Sequence, residues 1–65
     1  MKDYQVVEYS VKQKAFHTHT LSDMLKANIT SIAKNVSSDY MVIGMFETYE
    51  EASEYIEKVK PKIRP

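Results

Sequence analysis

The sequence predicts a small α+β domain in the order β(β)αβα. Two helices are expected on one face of a two- or three-stranded sheet, completed by dimerisation. Three observations carry that reading. The segments Tyr4–Val11 and Tyr40–Phe46 are rich in β-branched and aromatic residues. Thr20 and Thr48 are each followed three positions later by an acid, a helix-start signature. Apolar residues at helical spacing follow both of them.

The first segment reads YQVVEYSV. In an extended chain Gln5, Val7, Tyr9 and Val11 share one face, and Tyr4, Val6, Glu8 and Ser10 the other. The odd face is the more apolar and is expected to meet the core. Lys12-Gln13-Lys14 then breaks the pattern with no Gly, Pro, Asn or Asp, which makes a poor turn signal. Phe16 to Thr20 alternates again. It is either a second strand returning as a hairpin, which is favoured, or the end of one long strand.

Thr20-x-x-Asp23 opens the first helix, in which the Thr hydroxyl serves a backbone N–H that has no helical partner. Leu21, Met24, Leu25, Ile29, Ile32 and Val36 follow, with Asn28 the polar member of that stripe. The helix is expected from about Leu21 to Lys34, with Asn35 as its stop. Tyr40–Phe46 is apolar on both faces: Tyr40, Val42 and Phe46 on one, Met41, Ile43 and Met45 on the other. That pattern predicts a central strand covered on both sides. Gly44, the single glycine, marks a bulge or a close approach. Thr48-x-x-Glu51 opens the last helix, with Ala52, Tyr55, Ile56 and Val59 on its apolar side. Glu54 and Lys58 are placed for an i,i+4 ion pair. Pro61 is expected to end the helix, leaving 61–65 as a short tail on a single domain, 1–65.

Sixty-five residues bury only roughly 60% of the surface of the unfolded chain, so stability is marginal without a staple or a partner. There is no cysteine, hence no disulfide and no thiolate metal site. The N-terminal MKDYQVVEYS has no apolar leader pattern and no run reaches membrane-span length, so the expected location is cytoplasmic, without membrane association. Net charge is zero, from nine basic and nine acidic residues, which argues against a generic polyanion binder. Residues 36–57 carry six acids and no base, whereas 58–65 carry Lys58, Lys60, Lys62 and Arg64. Acids early and bases late in a helix complement its dipole.

Candidate chemistry is sparse. His17-x-His19 puts two imidazoles on one face of a strand, but a zinc site needs three or four ligands. The pair is expected on a solvated edge, dispensable for folding. No serine sits in a glycine-rich elbow, and one glycine cannot build a phosphate loop. No catalytic residue, cofactor or metal is therefore expected, and no enzymatic activity. Lys58, Lys60, Lys62 and Arg64, helped by Lys12 and Lys14, are the only candidates for nucleic-acid contact, and the acidic helix beside them disfavours it. Five Tyr, two Phe and four Met point instead to an interface. A two- or three-stranded sheet would leave one face of Tyr40–Phe46 exposed, so Tyr40, Met41, Val42, Ile43, Met45 and Phe46 are the candidate interface. The expectation is a non-enzymatic interaction module acting as a homodimer, with an unidentified protein as further partner. A short, cysteine-free chain of this kind fits an accessory or regulatory protein of a bacterium or phage.

The run VIGMFETYEEASEYIEKV (42–59) resembles one half of the SPOR-type peptidoglycan-binding domains, at Gly44, Phe46, Glu51 and Ala52. It covers about a third of the chain. The first half departs from that pattern, since Val6-Val7-Glu8-Tyr9-Ser10 has no glycine-x-phenylalanine step leading into its helix. Peptidoglycan binding is therefore not carried over.

Overall fold

A computed structural model describes residues 3–37 and 39–63. The elements are β1 (Gln5–Ser10), β2 (Ala15–Thr20), α1 (Leu21–Ala33), β3 (Tyr40–Phe46) and α2 (Tyr49–Ile63). The fold is α+β: three antiparallel strands and two helices.

β1 and β2 form the favoured hairpin, with Ser10 opposite Ala15 and Gln5 opposite Thr20. The weak turn signal has a physical substitute. The buried Ser10 hydroxyl accepts from the Gln13 N–H at 3.0 Å, and Lys14 takes the positive φ (54°) that tight reversals need. β2 runs straight into α1, whose cap is as expected: Thr20 Oγ1 accepts from the Asp23 N–H at 3.2 Å. The helix ends in a Schellman arrangement. Val36 N–H donates to the Ser31 carbonyl at 2.9 Å and Asn35 N–H to that of Ile32 at 3.0 Å, with Asn35 at φ 58°.

The strand order is β2-β1-β3, which corrects the placement of Tyr40–Phe46. That segment is an edge strand, and the centre belongs to β1. An edge strand exposes its outer side, so Met41, Val42 and Met45 remain exposed. The central position buries residues on both faces of β1, not only the odd one: Val6, Val7, Glu8 and Ser10 are all buried. β1 and β3 are adjacent but antiparallel, so no parallel crossover joins them.

A bulge also resets the faces of β3. Val7 pairs with Gly44 and Glu8 with Val42, which leaves Ile43 as the extra residue. Directly opposed residues share a face. Phe46, Gly44 and Met41 therefore lie with Gln5, Val7 and Tyr9, whereas Met45, Val42 and Tyr40 lie with Val6, Glu8 and Ser10. Strict alternation would have separated Met41 from Phe46.

α2 starts with a reciprocal capping box. Glu51 N–H donates to Thr48 Oγ1, and the Thr48 N–H and hydroxyl both donate to Glu51 Oε1, each at 3.2 Å. The helix does not stop at Pro61 but continues to Ile63. A proline in the last turn forfeits one backbone bond, to the carbonyl four residues back, and the two residues after it complete the turn. Glu57 pairs with Lys60 at 3.0 Å, in place of the expected Glu54–Lys58 pair.

Among the described residues the buried apolar ones are Val6, Val7, Met24 and Ala52. That is a small core, and the shape shows why. The molecule measures 35 × 34 × 10 Å, too thin for a complete helical layer stacked on the sheet. Its radius of gyration is 12.4 Å, against about 11 Å for a compact domain of this length. Its accessible surface is 5073 Å², against roughly 4300 Å² for a folded monomer of this mass.

Candidate interaction surfaces

On the face of Val7 and Gly44, α2 is fastened to β3 by one tyrosine. The Tyr55 hydroxyl donates to the Ile43 carbonyl at 2.7 Å, at the bulge where the ladder is interrupted. Its ring packs on Phe46 with centroids 4.9 Å apart. Gly44 makes room for both: a Cβ there would lie 2.8 Å from the Phe46 ring and 2.9 Å from that of Tyr55. Tyr9 and Phe16, opposite each other on β1 and β2, pack at 4.8 Å on the same face. The glycine thus marks both features expected of it, a bulge and a close approach.

The opposite face is roofed by rings. His17 on β2 stacks on Tyr40 on β3 at 4.8 Å, across the central strand, and His19 lies 5.5 Å from His17. Glu8 and Ser10, which pair with His17 and Tyr40 respectively, are buried between them. His19 Nε2 is 2.6 Å from Glu8 Oε1, with side-chain exposures of 22% and 8%. With the carboxylate ionised, the Nε2 proton is the donated one. The Tyr40 hydroxyl donates to Gln13 Oε1 at 3.4 Å.

The histidines do lie on an edge strand, and His17 is exposed as expected, but His19 is not incidental. His19 is the partner of a buried carboxylate. Sequence reasoning missed it because the two residues are eleven apart and meet only through strand register. A signal was present: a four-residue turn after Ser10 sets Glu8 opposite His17 and diagonal to His19, within reach of long side chains. Among the described residues no group of three or more His, Cys, Asp and Glu side chains is placed to hold a metal ion. No cavity opens among them either.

The six candidate interface residues divide three ways. Phe46 packs under Tyr55, and Ile43 is half-buried at the bulge. Tyr40 belongs to the ring roof. Met41 on one face, and Val42 and Met45 on the other, are exposed. A second apolar surface is found on α1, where sequence reasoning expected contact with the sheet. Of its stripe only Met24 is buried, whereas Leu25, Ile29 and Ile32 are 51%, 67% and 78% exposed. At about 100° per residue the side of Met24 and that of Leu25 are a quarter-turn apart, and one sheet covers only the first.

The basic residues are not brought together. Lys58 and Lys62, four apart, share a side of α2, whereas Lys60 lies on the other side and pairs with Glu57. Lys12 and Lys14 are exposed in the β1–β2 turn, and Arg64 lies outside the described residues. No helix among the described residues is long and apolar enough to cross a membrane. Compared with known proteins, the chain matches no protein-family model, no curated protein and no solved structure.

Proposed function

We propose that this chain is a small non-enzymatic protein-interaction module that acts as a homodimer, with a further protein as its regulatory or structural partner. One observation carries the reading: the folded protomer is open. Among the described residues it buries four apolar side chains, and its accessible surface exceeds that of a compact monomer of its mass by roughly 800 Å². Each member of a standard protein–protein interface buries about that much. Nine large apolar side chains among the described residues are exposed, and apolar surface left open on a small domain is what a docking site presents. The exposed Met41, Val42 and Met45 supply adaptable contacts suited to a partner, since thioether side chains repack at little cost.

Solution mass tests the proposal. Sedimentation equilibrium at high micromolar concentration is expected to give a dimer, and a well-folded monomer there would overturn it. A gel shift with duplex DNA at about 150 mM salt separates the alternative, weak nucleic-acid binding through the basic end. Non-specific phosphate contacts give dissociation constants of about 10⁻⁴ to 10⁻⁶ M. No shift is expected at low micromolar protein. A discrete, sequence-dependent shift lost on truncation after Lys58 would replace the interaction reading.

A further inference from the structure

We infer that the homodimer is closed by α1 packing antiparallel on α1 of a second copy, about a two-fold axis near Ile29. The inference rests on the homodimer reading and names the surface that makes it. It also frees the exposed side chains of β3 for the other partner.

The seam is written in the spacing. Leu25, Ile29, Ile32 and Val36 are separated by four, three and four residues, the repeat that keeps one apolar line facing a neighbouring helix. The first three lie within α1 and are its exposed large apolar side chains. An isologous contact requires a surface that complements itself. Antiparallel pairing about Ile29 meets that condition, setting Leu25 of each copy against Ile32 of the other and Ile29 against its equivalent. The charges of α1 permit it. Asp23 and Lys26 lie about 160° and 100° around the helix from Leu25, so no charged side chain is forced against its own copy. Asn28 borders the seam and Ala33 flanks it, polar and small in turn. Antiparallel helices also oppose their dipoles. A 13-residue helix is marginal alone and needs its apolar face covered, which the sheet does only at Met24. The contact would remove from water the exposed parts of Leu25, Ile29, Ile32 and Val36, the last 58% exposed.

The chain has no cysteine, so single-cysteine variants report contact directly. Ile29→Cys is expected to give a covalent dimer under mild oxidation, whereas Val42→Cys on β3 stays monomeric on a denaturing gel. Ile32→Glu is expected to weaken dimerisation at least about 100-fold, because it buries an unpaired charge in the seam. Since Ile32 is exposed in the protomer, the sheet is expected to stay folded, as read by the near-ultraviolet tyrosine signal. A wild-type dimer in which Val42→Cys links and Ile29→Cys does not would overturn the α1 assignment and leave the homodimer standing. A wild-type monomer would overturn both.

Discussion

Replacing His19 with alanine is expected to cost about 2 kcal/mol. The Glu8 side chain is 8% exposed and His19 22%, with 2.6 Å between Nε2 and Oε1. A hydrogen bond to a charged group contributes about 1.5–3 kcal/mol, and removing one partner of a fully buried ion pair costs about 3–5 kcal/mol. The His19 ring is partly wet, so water reaches the carboxylate once the ring is gone, and the lower range applies. For a domain this small each kcal/mol lowers the thermal midpoint by about 4–8 °C, so the loss should be roughly 8–16 °C. Circular dichroism melts at fixed protein concentration measure it; concentration must be held because association adds to apparent stability. Glu8→Ala and the double variant complete a cycle in which a coupling of at least about 1 kcal/mol is expected. A midpoint change below about 2 °C for His19→Ala, or strict additivity in the cycle, would refute the pairing argument.

Gly44→Ala should destabilise by about 1–3 kcal/mol. The new methyl meets rings at 2.8 and 2.9 Å, and Tyr55 is held in place by its bond to the Ile43 carbonyl. A melt that matches wild type would show that the rings move aside freely. Thr48→Ala removes the acceptor for the Glu51 N–H and should cost about 1 kcal/mol. The exposed setting caps the loss near that value, and an unchanged urea midpoint would remove Thr48 from the cap.

What was legible in the sequence is what neighbours in sequence decide. Both helix caps form at the threonines that announced them, because a capping hydroxyl and its N–H are three residues apart and need nothing else. Asn35 ends α1 as expected, since asparagine tolerates the left-handed conformation that a Schellman stop needs. Gly44 told of crowding before its neighbours were known. The strand segments were equally clear, because branched and aromatic side chains suit an extended chain.

What was not legible depends on which strand lies beside which. Tyr40–Phe46 is apolar on both faces, and such a run is equally consistent with a buried centre and with an edge whose partner is another molecule. β1, carrying Glu8 and Ser10, looked the poorer candidate for the centre. It holds that place because each of its buried polar groups has a partner: Gln13 N–H, three residues on, for the serine and His19, across the hairpin, for the carboxylate. No buried side-chain nitrogen or oxygen among the described residues is left without a hydrogen bond. A polar residue in a strand pattern therefore argues against burial only until its partner is found.

The same limit applies to α1, with larger consequences. An amphipathic pattern states that one side of a helix leaves water; it does not state which surface it meets. In this chain the arc from Met24 through Leu25 to Ile29 is wider than one contact with a narrow sheet can cover. Three strands at about 4.8 Å spacing span only two intervals, roughly 10 Å, about the width of one helix. α2 already occupies the β1–β3 side through Ala52 and Tyr55. Each helix has one buried side chain, Met24 on α1 and Ala52 on α2. The apolar residues left over on α1 form a line rather than a scatter. That line is the surface of the proposed α1 contact, and its spacing is what the sequence showed without showing what it meets.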